Sequence, residues 1–307
     1  MRRILAAGLF TVLLTAQSFA HISLIKSDND VRGEQDNFRL EKVNGTVHVL
    51  FGRGGNIGVS YGVDGLLTID TQFENVADNI KAQLKTLGSD TPKFVFNTHW
   101  HGDHTGGNTV FGTDAIIVAH ENVRERLLST VNPRNNQPRE PISKEGAPMI
   151  TYSKGLSIHF NGEEIKAVHF PKGHTDGDTA VFFTGSNVVH LGDDFFVGRF
   201  PFVDLASGGS VEGLVMNIGK MIQMIPADAK IIPGHGPVST LEDLKDYHAM
   251  LVETTVIVRT HMTEGKTLDQ IKAAGLPEKF KDAGSGFINQ DAWIETIYRS
   301  YSPKMEG

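Results

Sequence analysis

Between Asn97 and Asn108 the chain reads NTHWHGDHTGGN, which places His99, His101, Asp103 and His104 within six residues. Imidazoles and carboxylates are ligands for divalent metals. Phe94-Val95-Phe96 just upstream reads as a short buried strand, and Gly102, Gly106 and Gly107 let the chain turn sharply after it. Side chains two apart on extended backbone share a face, so His99 and His101 can reach one ion together while Asp103 and His104 turn toward a second. A lone histidine is commonly a surface or satisfied core residue, but a cluster of this density is not accounted for that way. Three later segments repeat the pattern of a ligand type on a glycine turn after a predicted strand: Gly173-His174, Gly192-Asp193-Asp194 and Gly234-His235-Gly236. Strand ends on a rigid sheet can hold side chains to the tolerance a metal needs. Together these residues suffice for two ions.

The elements that must position them alternate in type. Strand-like runs over 47–51 and 57–61 flank Gly52-Arg53-Gly54-Gly55, a hairpin signature. The glycines do not form a dinucleotide loop, because Ile57 stands where the last glycine of that pattern belongs. A buried strand over 66–69 ends at Asp70, and Val76, Ile80, Leu84 and Leu87 recur at helical spacing. After the cluster come a strand over 115–119, a helical stretch over 121–128 and a polar, proline-rich loop over 132–148. Strand-like runs follow over 156–160, 165–170, 180–184 and 188–191. An amphipathic helix over 211–225 and a short strand over 230–232 repeat the first half's layout, and helical stretches from Leu241 onward close the chain. Strands followed by helices, twice over, predict an α/β (α+β) fold, an αββα sandwich of two mixed sheets with helices on both outer faces. The expected divisions are a signal peptide over 1–20, an N-terminal extension over 21–45, the sandwich over 46–240, and a C-terminal helical extension over 241–307 packed on the same domain.

Bulk properties narrow the function. Arg2 and Arg3 precede an apolar run and Ser18-Phe19-Ala20, the pattern of a cleaved secretory signal, so a mature chain starting near His21 in a bacterial periplasm is expected. No stretch of the 307 residues has the length of apolar sequence that spans a bilayer, so no membrane anchor is expected. The formal charge of -7 becomes -9 without Arg2 and Arg3, which disfavours a nucleic-acid partner. With no cysteine, disulfides, thiolate metal sites and thiol nucleophiles are excluded.

The cluster meets in full the His-x-His-x-Asp-His motif of the metallo-β-lactamase superfamily, and the chain is identified as resembling that family from about Val47 to His235. GHTDGDT (173–179) resembles the family's third-histidine segment, LGDD (191–194) its bridging-aspartate segment and PGHG (233–236) its final-histidine segment. The resemblance implies that His99, His101 and His174 hold one ion, that Asp103, His104 and His235 hold another, and that Asp193 bridges them. It also implies two Zn2+, with iron or manganese compatible with the same nitrogen and oxygen donors. Hydrolysis would proceed by attack of a metal-bridging hydroxide on a carbonyl, with Asp103 orienting the nucleophile. Asp70 has two readings, orienting a ligating imidazole or capping the next helix, and Asp178 is a similar candidate. His120, His159, His169 and His190 lack the glycine-turn setting and read as structural.

The substrate is a small molecule with a carbonyl. Export favours the β-lactam amide over cytoplasmic thioesters or RNA. The best-known secreted β-lactamases, however, carry a cysteine where this chain has Asp193 and a lysine where it has Phe196. Arg199 is the candidate replacement for that lysine, and the turn near Gly54 stands where a substrate-covering flap would be. A lactonase or other ester hydrolase is the alternative, and a non-catalytic metal-binding or sensing protein is the alternative of another class.

Overall fold

A computed structural model describes residues 38–302. The expected signal segment and most of the N-terminal extension lie outside the described residues. Among the described residues twelve strands form two sheets. The first runs in sequence order: β1 (Arg39–Asn44), β2 (Val47–Phe51), β3 (Ile57–Gly62), β4 (Gly65–Ile69), β5 (Phe94–Phe96), β6 (Ile116–His120) and β7 (Ile150–Tyr152). The second comprises β8 (Gly155–Phe160), β9 (Glu163–His169), β10 (Thr179–Phe183), β11 (Val188–Phe196) and β12 (Lys230–His235), in the order β12-β11-β10-β9-β8. Hairpins β1 to β4 are antiparallel, whereas β4 to β7 and the β11–β12 pair are parallel. Both sheets are therefore mixed.

Side-chain alternation explains the layers. On β4, Leu67 and Ile69 point into the space between the sheets, where they meet Val181, Phe183 and Ile232 of the second sheet. Leu66 points the other way, onto Ile80 and Leu84 of α1 (Ala77–Lys85). The outer face of the second sheet, through Val189, Leu191 and Ile231, is covered by Leu214 and Ile218 of α5 (Val211–Met224). The same core takes in Leu244 and Leu251 of α6 (Leu241–Thr263) and Trp293 of α8 (Gln290–Tyr301). The remaining helices are α2 (Gly102–Thr105), α3 (Asn108–Phe111), α4 (Glu121–Leu128) and α7 (Leu268–Ala274). The layers are helix, sheet, sheet, helix, as expected.

Several local expectations change. β1, polar and mostly exposed, pairs with β2 although its sequence gives no apolar alternation. The segment Gly192-Asp193-Asp194 is not a turn after a strand. It is a bulge within β11, where the register against β12 shifts and Gly192 takes φ +53°. A side chain there would press on Thr98, whose backbone follows β5. The bulge thus brings the Asp193 segment against the start of the histidine cluster.

Candidate metal centre

The parallel strands end on one side of the sandwich, where the fold gathers its chemistry. Asp70 follows β4, the segment from Asn97 to His104 follows β5, and His235 ends β12. His99 and His101 lie on the extended backbone before α2, and Asp103 and His104 on that short helix. His174 is carried on the β9–β10 connection, which Asp178 holds by accepting from Thr175 N and Thr175 Oγ1.

All the ligands named from the sequence converge. His101 Nδ1 lies 3.1 Å from His99 Nε2 and 2.8 Å from His174 Nε2. Asp193 Oδ2 faces this group, 3.7 Å from His99 Nε2 and 3.5 Å from His174 Nε2. The other oxygen, Oδ1, is 3.1 Å from His104 Nε2 and 3.5 Å from His235 Nε2, and Asp103 Oδ2 closes that second group at 3.2 Å from His235 Nε2. Within each group all candidate ligand atoms lie within 4.8 Å of one another. Donors about 2.0–2.1 Å from a tetrahedral ion are separated by about 3.3 Å, so the spacing fits one ion per group with the Asp193 carboxylate between them.

Proton bookkeeping on the outer nitrogens strengthens the fit. His174 Nδ1 donates to Phe202 O at 2.6 Å, and His104 Nδ1 donates to Asp70 Oδ2 at 2.7 Å. Thr98 Oγ1 spends its proton on Asp70 Oδ2 at 2.7 Å, so His99 Nδ1, 2.9 Å away, is the donor in its contact with that hydroxyl. His101 Nε2 faces Asp204 Oδ2 at 2.9 Å and donates to that carboxylate. Each outer partner fixes a tautomer that aims an imidazole lone pair inward. His104 Nε2 and Asp193 Oδ1 are buried and have no hydrogen-bond partner. Converging lone pairs repel each other unless a cation lies among them, so this donor set fits divalent metals.

Electrostatics divides the two groups. Burial pushes the His174 imidazole down to about 4 and holds His99 well below its ordinary value, with the neighbouring His104 adding to the effect on His99. In the second group, burial opposes charging of His104, yet the Asp193, Asp103 and Asp70 carboxylates outweigh it and hold this imidazole well above its ordinary range. His235 rises to about 9 against burial, through Asp193 and Asp103. Asp103 falls to about 2 despite burial because His104 and His235 face it. In the first group His99 and His174 are thus held neutral beside one carboxylate, and the second is a charged network.

Of the weaker candidates, Asp70 contacts a ligand directly, as the orienting reading requires. Asp178 acts on the loop behind His174 rather than on an imidazole. Arg199 is exposed and packs its stem against Gly286, with no contact to the ligand groups. The turn near Gly54 is not a free flap: Gly55 N donates to Asp103 O at 3.0 Å and Asn56 N to Gly234 O at 2.8 Å, which ties the hairpin to both ligand loops. His190 is structural, joining Asn56 O at 2.9 Å to the Gly192 bulge, and His120 stacks on His169 with ring centroids 3.6 Å apart. Phe196, at the position expected to carry a lysine in the best-known secreted β-lactamases, stacks on the His235 imidazole at 5.4 Å. Asp204, Phe202 and Arg134 were not legible as site residues. Asp204 stands in an unremarkable turn far along the chain, and Arg134 lies in a polar loop that reads as solvated.

Comparison with known proteins agrees with this geometry. Residues 53–259 match the family model of the metallo-β-lactamase superfamily. A hydroxyacylglutathione hydrolase of Nitrosococcus oceani is 27% identical over 144 residues, 46% of this chain and 47% of the relative. A β-lactamase-like protein 2 homolog of Caenorhabditis elegans is 26% identical over 205 residues, 62% of this chain and 60% of the relative. The matched stretches thus span about half to three-fifths of these relatives' own length. Among solved structures, a metallo-β-lactamase from Pontibacter korlensis superposes with a TM-score of 0.58 at 17% identity over 70% of this chain and 98% of that one. A sec-alkylsulfatase from Pseudomonas gives 0.69 at 17% identity over 88% of this chain and 51% of that one. These structural likenesses speak to the fold. The chain belongs to the metallo-β-lactamase superfamily.

Proposed function

We propose that this protein is a di-zinc hydrolase of activated acyl compounds, with thioesters and oxyesters ahead of β-lactam amides. The single observation that carries the reading is the division of the Asp193 carboxylate, Oδ2 toward one histidine group and Oδ1 toward the other. Two bound divalent ions would polarise a substrate carbonyl and make water acidic enough to attack it near neutral pH. The chain's own groups do the rest. His99, His101 and His174 present ring nitrogens, each oriented by an outer partner. The Asp103 side chain, 29% exposed, is the most open carboxylate of the centre and is placed to accept a hydrogen bond from attacking water and orient it. Phe196 stacks on one face of the His235 imidazole.

The preference for esters over β-lactams reverses the order expected from export and draws on the ligand set and on relatives. Asp193 occupies the bridging position, no cation stands at Phe196, and several relatives are named hydroxyacylglutathione hydrolases. An ester or thioester leaves as an alkoxide or thiolate, whereas an amide nitrogen must be protonated to depart. β-Lactam hydrolysis is the second reading, favoured by the full ligand set on the same fold. The proposal includes export, with a mature chain that begins near His21.

The test is metal analysis of the purified protein followed by assay of a hydroxyacyl thioester, an acyl lactone and a chromogenic cephalosporin, with His101→Ala alongside. Two zinc ions per chain and loss of ester or thioester turnover in His101→Ala are expected. Turnover that survives this substitution would sink the mechanism. Fast cephalosporin cleavage with inert esters would reverse the substrate order. N-terminal sequencing of the exported protein checks the cleavage position.

A further inference from the structure

Beside the first histidine group, the fold presents a cation that the ligand set does not use. Arg134 reaches in from the loop between α4 and β7. Its Nε and Nη2 donate to Asp204 Oδ2 at 3.0 and 2.9 Å. Nη2 also lies 2.7 Å from His101 Nε2, so both nitrogens converge on the same carboxylate oxygen. The guanidinium carbon stands 5.5 Å from the Trp100 ring centroid and 5.1 Å from that of Phe202, which confines the group between two aromatic faces. The loop is preorganised locally, since Arg134 N donates to Asn132 Oδ1 at 2.9 Å and Asn136 N to Asn132 O at 2.9 Å.

This pairing leaves one edge of the guanidinium unused. Nη1 has no hydrogen-bond partner among the described residues, and the side chain is 44% exposed although its Asp204 partner is 2% exposed. An arginine needed only to neutralise Asp204 could lie flat over it. Here the group is gripped through Nε and Nη2, faced by two rings and open at Nη1, which suits it to a charge-assisted bond with a second anion. It does so in a chain of net charge -7, where a solvent-facing cation at the rim of a metal centre is set against the overall field.

Apolar surface continues from the same point. The Phe202 ring lies 5.8 Å from His101 and 5.9 Å from His174, and 6.4 Å beyond it stands Phe287, 89% exposed, on the segment before α8. A molecule whose carbonyl lay at the histidines could extend along Phe202 to Phe287 while an anionic group met Arg134.

Building on the proposed hydrolase, we propose that Arg134 anchors a carboxylate on the substrate and that Phe202 and Phe287 receive its apolar body. The substrate class is then an ester or thioester whose acyl part carries a free carboxylate. Arg134 becomes a specificity-determining residue in the role first sought at Arg199.

The test is the affinity of the zinc-loaded protein for monomethyl glutarate, an anionic ester, and for dimethyl glutarate, its neutral counterpart, measured by isothermal titration. The wild-type protein is expected to bind the monoanion about tenfold more tightly or better, the scale of one charge-assisted contact. Arg134→Gln should abolish the preference for the monoanion over the diester, and Arg134→Lys, which keeps a cation beside Asp204, should restore part of it. Phe287→Ala should weaken both ligands together. A preference that survives Arg134→Gln, a wild-type protein that binds neither ester or does not discriminate, or a joint loss of zinc and both affinities in Arg134→Gln would overturn the assignment. The last pattern would mean that Arg134 only holds Asp204 against His101. A protein that discriminates through Arg134 but hydrolyses no ester, thioester or lactam would sink the proposed reaction and leave the anion site standing.

Discussion

Asp70 Oδ2 accepts from His104 Nδ1 at 2.7 Å while the same oxygen takes the Thr98 hydroxyl at 2.7 Å and Oδ1 takes Thr98 N at 2.8 Å. One buried carboxylate therefore orients His104 directly and His99 through Thr98, so the two ligand groups share a support. Asp70 itself sits at φ 68°, a conformation that costs a non-glycine residue on the order of 1 kcal/mol or more and persists only where surroundings dictate it. Asp70→Ala is expected to lower affinity for the second zinc ion by roughly 10–100-fold, the usual effect of losing a partner behind a ligating imidazole. Chelator competition measures it, and unchanged affinity would show that His104 is held by packing alone.

Metal uptake should release protons from the second group. His235, raised to about 9 through Asp193 and Asp103 against burial, and His104, raised well above its ordinary value, both carry protons at pH 7.5 in the metal-stripped protein. Ligation requires the neutral imidazole, so each must give up its proton. His99 and His174, held low by burial, have none to give at that pH. Zinc titrated into stripped protein in weak buffer with an indicator dye should thus acidify the solution during filling of one site and not the other. Affinity for the proton-releasing site should fall as pH falls below about 9. Acidification spread equally over both equivalents would contradict the division of charge.

The ligands were readable because their chemistry is local. His99 and His101 two apart, and a glycine next to each later ligand, follow from strand ends and close approach, which leave marks in sequence. What orients them was less readable, for a physical reason. Asp204 meets His101 across 103 positions, from a turn whose composition has no period, and Phe202 fixes the His174 tautomer through a backbone carbonyl, which any residue offers. The sheets were legible where a short apolar run is buried throughout, as in β4. They were not where an edge strand is solvated, as in β1, or where a bulge imitates a turn, as at Gly192. The Gly54 hairpin resembled a flap because its partners in the two ligand loops are backbone carbonyls, which any residue offers, met by Gly55 N, Asn56 N and the Asn56 amide.

Gly234 tests how tightly the bridging carboxylate is seated. A Cβ at this position would overlap Asp193 Oδ1 and stand 2.6 Å from the Gly192 backbone, and backbone cannot swing aside as a flexible side chain can. Gly234→Ala should therefore displace Asp193 from between the two groups. We expect bound zinc to fall below two per chain and kcat to fall by about 100-fold or more, the scale of misplacing a reacting group by an ångström. Circular dichroism should retain the sheet signal, since β12 pairs on either side of this residue. Full zinc content with normal turnover would mean that β11 can yield at its bulge.

Beneath the centre, Asp178 and Asp194 offer a test of stability against pH. Both are buried, and a Cβ on Gly173 would lie 2.6 Å from Asp194 Oδ1 and 2.9 Å from Asp178 Oδ2, so the two carboxyls border the same small space. Burial, then the charge of Asp194, raises Asp178 well above its ordinary value, and burial with the charge of Asp193 raises Asp194 to about 7. Between about pH 4 and 7 the folded, metal-stripped protein therefore holds a proton that the unfolded chain has released. This contribution is complete below about 4 and is lost as pH rises through 7. Asp194→Asn removes the penalty, because an amide of the same shape needs no proton to stay neutral. Relative to wild type, the stripped variant should gain roughly 4 °C or more in Tm at pH 8 and little or nothing at pH 4. An equal shift at both values would assign the effect to packing around Gly173 rather than to a buried charge.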